Sequence, residues 1–269
     1  MDLIPVRGRV SGTPIHCRHG MFKAIIVVPC FNEAERLPAE RFVGFAEQNP
    51  EVGFWFVDDG SSDATGERLQ ALAARRPETF RCHALASNQG KAEAVRQGMR
   101  LALTERPQYV GFWDADLATP LESILDFTQF LETHARCEAV FGARVALVGR
   151  NIQRQWSRHY TGRVFATAVS WVLGISIYDT QCGAKMFRCS ATTDALFEAP
   201  FLSRWVFDVE IVARLILAHG VEALSGSDSV LAEYPLEEWS NVAGSKLRAR
   251  DFAVAAVDLW RIHRHYGVR

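Results

Sequence analysis

Short apolar runs that end in polar residues alternate with helical patterns through the first half of this sequence. The β-branched run at 24–28 stops at Pro29, and the run at 53–57 stops at Asp58. Runs of this kind are typical of buried strands in a parallel sheet. The same pattern predicts three further strands, at 80–85, 109–113 and 138–143.

Apolar residues recur at helical spacing between these strands, in segments 65–76, 91–103 and 120–132. Asp63 or Thr65 is expected to cap the first helix, and Thr119 the third, ahead of Pro120. Alternating strands and helices form right-handed βαβ units. The sequence therefore predicts an α/β fold, with a mostly parallel central sheet flanked by helices.

The second half of the chain is less regular. Its patterns predict helices at 151–173, 207–219 and 245–263, and short strands of mixed direction at 184–188 and 221–234. We expect a loose tail at 1–21 and a single domain at 22–269. The smaller, mixed region of the sheet should belong to this second half.

Charge and composition exclude several classes of protein. A net charge of -1 over 269 residues argues against a nucleic-acid binder. None of the six cysteines forms a CxxC pair, so free thiols in a reducing cytoplasm are expected. The sequence shows no signal peptide, and no apolar run reaches the roughly 18 residues of a membrane span.

Three of the predicted strands end in polar segments, at 29–33, 58–62 and 114–116. Ligands of open parallel sheets bind beyond the carboxyl ends of the strands, where these segments should meet. One such ending is common turn chemistry, but three on one edge favour a functional site. Among them, Asp114 and Asp116 suit Mg²⁺ or Mn²⁺ together with phosphate oxygens. The alternative for this pair is a helix cap with a spare carboxylate.

Other residues at these strand ends suit a nucleotide. Asp58 and Asp59 can accept hydrogen bonds from a base or a ribose, and Lys91 can meet a phosphate at the start of a helix. A plain surface lysine is an equal alternative for Lys91. Glycine-rich phosphate loops of the P-loop and dinucleotide-binding types are missing from the sequence, which disfavours kinases and dehydrogenases.

Seven collinear segments between residues 22 and 250 now carry a resemblance: VVPCFNEAERLP, FVDDGSSDAT, NQGKAEAVRQG, FWDADLATP, YDTQCGAKMFR, RWVFDVEI and EWSNVAGSKL. Together they resemble family 2 glycosyltransferases of the GT-A fold. The resemblance is strongest to dolichyl-phosphate β-glucosyltransferases and prokaryotic polyprenyl-phosphate glycosyltransferases. It implies a nucleotide-binding half at 22–144 and an acceptor-binding half at 145–269.

The resemblance implies an inverting transfer of glucose, or a similar hexose, from a UDP-sugar to a polyprenyl phosphate. Asp114 and Asp116 would hold the divalent metal, and Gln181 and Lys185 would flank the sugar and the acceptor. The nucleotide-sugar would contact Pro29, Phe31, Asn32, Glu33, Asp58, Asp59, Lys91, Asp114, Ser245 and Lys246. Ala118 stands where the mannosyl branch has glutamine, which favours the glucosyl branch.

Residues 144–178 contain five arginines and no acidic residue. Aromatic residues interleave with the arginines, so the segment could lie in a membrane interface as a peripheral anchor at the inner face. Arg144, Arg158 and Arg163 could also bind the acceptor phosphate. The alternative is a core helix with solvated arginines. The membrane helix that many relatives with lipid acceptors carry is missing, which leaves the acceptor open.

The acceptor decides whether catalysis needs a base. A phosphate monoester is already anionic, whereas a hydroxyl acceptor needs a carboxylate, for which Asp208 is the candidate. The alternative for Asp208 is a helix cap. Three functions stay open: a polyprenyl-phosphate hexosyltransferase, a soluble transferase that uses a hydroxyl or other glycan acceptor or a GDP-mannose donor, and a non-catalytic nucleotide-binding relative.

Overall fold

The computed structural model describes residues 21–152, 156–226, 228–240 and 249–267, with the backbone alone at 156–164 and 249–253. Its strands are β1 (Ala24–Cys30), β2 (Val52–Asp58), β3 (Phe80–Ala84), β4 (Tyr109–Phe112), β5 (Ala139–Ala143), β6 (Asn151–Ile152), β7 (Lys185–Arg188), β8 (Leu231–Pro235) and β9 (Glu238–Trp239). Its helices are α1 (Ala39–Gln48), α2 (Thr65–Arg75), α3 (Lys91–Thr104), α4 (Ser123–Thr133), α5 (Trp156–Leu173), α6 (Ala191–Glu198), α7 (Phe207–His219) and α8 (Ala249–Tyr266).

Seven of the strands form one sheet in the order β3-β2-β1-β4-β7-β5-β8. Strand β1 is parallel to both β2 and β4, whereas β7 is antiparallel to β4 and β5. The carboxyl ends of β1, β2 and β4 therefore share one edge with the amino end of β7. This arrangement confirms the mostly parallel sheet with a mixed region.

Both faces of the central strands β1, β2, β4 and β5 are buried, which is why these strands are almost entirely apolar. Along β1, Ile25 and Val27 pack towards α3 and α5–α8, whereas Ile26 and Val28 pack towards α1, α2 and α4. Alternate side chains of a strand point to opposite faces, so each strand contributes to both cores. Because the two cores cover both faces of the sheet, the polar segments that follow the strands lie at its edge.

Most predicted elements are present, with shifted ends. The predicted capping of α4 by Thr119 is wrong, because α4 begins at Ser123 and the buried Thr119 hydroxyl lies 3.9 Å from the Cys182 sulfur. The strand predicted at 221–234 is shorter, because Val221–Leu224 forms a 3-10 helix and only Leu231–Pro235 pairs with β5. Helices α1 and α6 were not predicted.

The division into halves at residue 144 stays a prediction. The main sheet crosses that position, because β7 and β8 follow it in sequence and yet pair with β4 and β5, which precede it. Among the described residues, no helix is both long enough and apolar enough to cross a bilayer.

Candidate active site at the carboxyl ends of the strands

The loops that follow β1 and β2 are hydrogen-bonded to each other. The Asn32 amide N–H donates to the Ser61 hydroxyl at 3.0 Å, and the Ser62 N–H donates to the Asn32 side-chain oxygen at 2.9 Å. Asn32 has a φ of +53°, a conformation that asparagine tolerates better than most residues. The first two polar segments therefore meet, as the parallel-sheet argument predicts.

Asp59 holds the loop that follows β3. Its buried carboxylate accepts hydrogen bonds from the backbone N–H groups of Gln89 and Gly90, at 2.7 and 2.8 Å, and from the Asn88 side chain at 3.0 Å. Asp58 is also buried and accepts from the Ser61 N–H at 3.0 Å. Both carboxylates thus support loops, and their contact with a nucleotide stays a prediction.

Asp114 and Asp116 lie in a tight turn directly after β4. The Ala118 N–H donates to the Asp116 carboxylate at 3.0 Å. Leu117, which lies between Asp116 and Ala118, has a φ of +50°. A leucine rarely adopts this left-handed conformation, and such strain is often found at functional sites. The turn brings the two carboxylates together, since the charge of Asp114 acts on Asp116.

The residues of this turn fit a divalent cation. Burial and the negative charge of Asp114 raise the pKa of Asp116 above its ordinary value. A cation between the carboxylates would relieve this repulsion. No group of three or more His, Cys, Asp or Glu side chains with metal-ligand geometry occurs in the described ranges. Substrate phosphate and water oxygens would therefore complete the shell, as is common for Mg²⁺.

Lys91, the first residue of α3, reaches this turn. Its ammonium nitrogen lies 2.5 Å from a carboxylate oxygen of Asp114. Burial lowers the pKa of Lys91, but the charges of Asp114, Asp208 and Asp116 outweigh burial and raise it. A cationic lysine therefore stands beside the predicted metal ligands, where a diphosphate would find positive charge.

Lys185 and Asp208 form a second charged pair, in the interior. Their nitrogen and oxygen lie 2.6 Å apart, and the Lys185 side chain is fully buried, facing the rings of Phe112 and Phe141 at 5.2 and 4.9 Å. Burial raises the pKa of Asp208, although Lys185 and Lys91 oppose it. The structure places the Lys185 ammonium against Asp208, and the expected position of Lys185 beside the acceptor stays a prediction.

Gly183 lets the β7 segment pass close to Asp114. The Asp114 N–H donates to the Gly183 carbonyl at 3.1 Å, and a Cβ at position 183 would lie 1.9 Å from an Asp114 oxygen. Any other residue here would displace the carboxylate. The sequence indicated the Gln-Cys-Gly segment by resemblance alone, and this contact gives its physical reason.

Arg144 is committed to another partner. It forms a two-point ion pair with the buried Asp179, at 2.6 and 2.7 Å, and its guanidinium lies 5.3 Å from the Trp239 ring centre. Arg144 therefore joins the end of β5 to the segment before β7, and the expected phosphate contact would compete with this pair. The Gln181 N–H donates to Asp179 at 3.2 Å.

Several predicted site residues lie outside the described part of the chain. Ser245 and Lys246 fall within 241–248, and the side chains of Arg158 and Arg163 lie in the segment with backbone alone. Their roles stay predictions. The described chain approaches the site just before this gap, because the Ser240 N–H donates to the Ala118 carbonyl at 3.1 Å, two residues after Asp116.

Sequence reasoning missed Arg204, which joins the loop before α7 to the loop after β3. Its guanidinium donates to the Asn88 side-chain oxygen at 2.8 Å, and its carbonyl accepts from the Ala92 N–H at 3.4 Å. The loop before α7 is thereby attached to the loop that Asp59 holds. Its place in the RWVFDVEI segment was the signal, but spacing gave no partner for it.

With this geometry in hand, comparison with known proteins decides the family. The profile of glycosyl transferase family 2 matches residues 25–195. The chain belongs to glycosyl transferase family 2. It is therefore a glycosyltransferase, as the sequence predicted.

Two relatives extend the similarity of this glycosyltransferase over most of its length. A dolichyl-phosphate β-glucosyltransferase of Dictyostelium discoideum is 30% identical over 258 residues, which cover 90% of this chain and 74% of that protein. The Saccharomyces cerevisiae dolichyl-phosphate β-glucosyltransferase is 32% identical over 262 residues, with the same coverage of 90% and 74%.

The fold of this glycosyltransferase is also found in solved structures. Glucosyl-3-phosphoglycerate synthase from Mycobacterium tuberculosis, in complex with Mn²⁺, UDP and glucosyl-3-phosphoglycerate, superposes with a TM-score of 0.60 at 15% identity. The match covers 92% of this chain and 81% of that one. The predicted GT-A fold is confirmed.

Proposed function

We propose that this enzyme transfers glucose from UDP-glucose to a polyprenyl phosphate of the dolichyl type. The observation that carries the proposal is the meeting of Lys91, Asp114, Asp116 and the Lys185–Asp208 pair at one sheet edge, in a chain whose relatives are dolichyl-phosphate β-glucosyltransferases. Carboxylates for a cation and a cationic lysine are the groups that a departing diphosphate needs.

The chemistry requires little of the protein beyond binding and orientation. An oxygen of the acceptor phosphate attacks the anomeric carbon, on the face opposite to UDP, and the glycosidic bond electrons leave with UDP. No proton has to move, because a phosphate monoester is already ionised near pH 7. Mg²⁺ or Mn²⁺, held by Asp114 and Asp116, would neutralise charge on the departing diphosphate. Lys91 would add a second positive charge there.

The buried Lys185–Asp208 pair supports a positioning role for Asp208. Asp208 lies in the first turn of α7, where the helix dipole favours a negative charge, and Lys185 fixes one of its oxygens. A carboxylate in this setting holds the start of α7 against β7 beside the site and takes no proton during the reaction. One observation favours the second candidate, a hydroxyl acceptor: burial raises the pKa of Asp208, as a general base would require.

A donor panel tests the proposal. UDP-glucose, UDP-GlcNAc, UDP-galactose and GDP-mannose are each incubated with the enzyme and Mn²⁺, with and without a short-chain polyprenyl phosphate. We expect nucleotide release to rise on addition of the polyprenyl phosphate, and most with UDP-glucose. Faster release with GDP-mannose, or with the free prenyl alcohol or a glycan in place of the phosphate, would contradict it.

A further inference from the structure

One surface of the enzyme combines exposed apolar side chains with basic ones. Helix α8 buries one side against the core through Ala255, Leu259 and Ile262. With 3.6 residues per turn, Val254, Val257 and Trp260 lie on the opposite side, and they are 53%, 49% and 57% exposed. Residues of this size are seldom left in water next to one another without a binding partner.

Helix α5 extends this apolar area. Trp171, in its last turn, is 82% exposed, and its ring centre lies 6.5 Å from that of His263 on α8. The two tryptophans therefore belong to one surface. We call it the α5–α8 surface, and it consists of Trp171, Val254, Val257, Trp260, Arg261 and Arg264.

The exposed charges of this surface are of one sign. Between Val254 and Gly267 the single acidic residue is Asp258, which is buried and accepts a hydrogen bond from the Ser203 hydroxyl at 2.7 Å. The Arg261 guanidinium lies 3.3 Å from the same carboxylate and is itself largely exposed. The Arg264 guanidinium lies 5.4 Å from the Trp260 ring centre. By contrast, the outward side of α2 mixes acidic Glu67 with basic and neutral residues, as ordinary solvated helices do.

We propose that the α5–α8 surface docks the enzyme onto an anionic lipid bilayer, with Trp171 and Trp260 among the lipid head groups. Tryptophan is enriched at membrane–water interfaces, and arginine is attracted by anionic lipids. This inference rests on the proposed function, since a polyprenyl phosphate resides in a bilayer. The surface also adjoins the site: Ser203, which contacts α8, precedes Arg204, which binds Asn88.

Charge argues against the other occupants that this chain could offer. A second copy docked by the same surface would bring arginines against arginines. The N-terminal segment 1–20 carries three arginines and a single acid, Asp2, and segment 241–248 carries Lys246 and Arg248 with no acid. Each of these would be repelled, whereas an anionic bilayer is complementary.

Vesicle co-sedimentation of the full chain tests the docking surface. Phosphatidylcholine vesicles are compared with vesicles that also contain phosphatidylglycerol. We expect binding to the anionic vesicles that weakens with added salt. The double variant Trp171→Ser/Trp260→Ser should bind about tenfold or more weakly, and Arg264→Glu about fivefold more weakly. The matched control Leu101→Ser/Leu125→Ser changes leucines that are 38% and 41% exposed on α3 and α4, and it should bind like the unaltered enzyme.

Transfer assays separate this inference from the proposed function. The double tryptophan variant should keep transfer to a short polyprenyl phosphate in solution and lose transfer to a long one in vesicles. If unaltered and variant enzymes bind anionic vesicles equally, the docking surface is wrong. A dimer that dissociates in the variant, without vesicle binding by either, would identify a second copy instead and also overturn it. Normal vesicle binding without transfer to any polyprenyl phosphate would overturn only the proposed function.

Discussion

The two sides of the proposed active site are held together by different kinds of interaction. We assign the loops after β1, β2, β3 and β4 to the donor side, and the end of β5, the start of β7 and the start of α7 to the acceptor side. On the donor side, the loops after β1, β2 and β3 are joined by hydrogen bonds between short polar side chains and backbone N–H groups, as at Asn32 and Asp59. On the acceptor side, buried ion pairs do the same work: Arg144 with Asp179, and Lys185 with Asp208.

The difference has an energetic consequence. A partly exposed hydrogen bond contributes about 1 kcal/mol, and its partners find water when it breaks. A buried ion pair gains little overall, but loss of one partner leaves an uncompensated charge. Single substitutions on the acceptor side should therefore have the larger effect on stability. Single substitutions on the donor side, where the proposed metal ligands lie, should have the larger effect on activity.

The largest effect on activity is expected for Asp116→Ala. It removes a proposed metal ligand, and metal ions contribute several kcal/mol to a transition state, so transfer should fall by about a thousandfold or more. Transfer of glucose with Mn²⁺ and the thermal midpoint of unfolding are measured together. The midpoint should hardly change. The control is Glu122→Ala, an exposed carboxylate on the same loop. Equal turnover of Asp116→Ala and the control would refute the metal role.

The largest effect on stability is expected for Lys185→Met. Asp208 would remain buried without its partner, and the free energy of unfolding should fall by about 3–5 kcal/mol. Urea unfolding measures this loss. The double variant Lys185→Met/Asp208→Asn should lose clearly less than the sum of the two single variants. The matched control is Arg136→Met, which breaks the exposed pair with Asp228 and should cost about 1 kcal/mol or less. If Lys185→Met and Arg136→Met lost the same free energy of unfolding, the predicted contrast between buried and exposed ion pairs would be wrong.

The same difference explains what could be predicted from the sequence. Donor-side bonds are local to strand ends, so the position of Asp58, Asp114 and Asp116 after apolar runs was enough to place them on one edge. The periodicity of the runs likewise gave β1, β2 and β4, together with helices α2 and α3.

Acceptor-side pairs span sequence distances similar to those of the donor-side bonds, but one partner of each pair lies outside the strand ends that the sequence pattern identifies, in the segment before β7 or at the start of α7. Lys185 and Asp208 meet because β7 runs antiparallel to β4 and the first turn of α7 lies against the first residue of β7. No pattern in the sequence predicts this contact between β7 and α7. The pairing of Arg144 was missed for the same reason: its charge was visible in the sequence, but its partner Asp179, 35 residues away, was not. Its contact with the acceptor phosphate stays a prediction. Helix α1 was missed because its apolar face, Phe42, Val43 and Phe45, has no polar cap before it.

An intermediate effect is expected for Gly183→Ala. Gly183 precedes β7 on the acceptor side, and its carbonyl accepts a hydrogen bond from the Asp114 N–H. The new Cβ would lie 1.9 Å from the Asp114 carboxylate and would have to displace it from Lys91. We expect a loss of about ten- to a hundredfold in transfer, because small displacements of catalytic groups are costly. The control Gly44→Ala adds a Cβ on α1 with nothing within 4 Å and should stabilise the helix slightly. Unchanged transfer in Gly183→Ala would show that Asp114 can move without consequence.

The smallest effect is expected at Asn32, where the donor side can be separated into its two contributions. Asn32→Gly removes the bond from the Ser62 N–H but accepts the φ of +53°, so about 1 kcal/mol of unfolding free energy should be lost. Asn32→Ala loses the bond and must also adopt a left-handed conformation, which adds about 1 kcal/mol. Urea unfolding of the two variants measures the difference. Because neither leaves a buried charge, both should cost less than Lys185→Met. A loss of 3 kcal/mol or more in Asn32→Gly would contradict this, since it would mean that donor-side loops depend on single contacts as strongly as the buried ion pairs do.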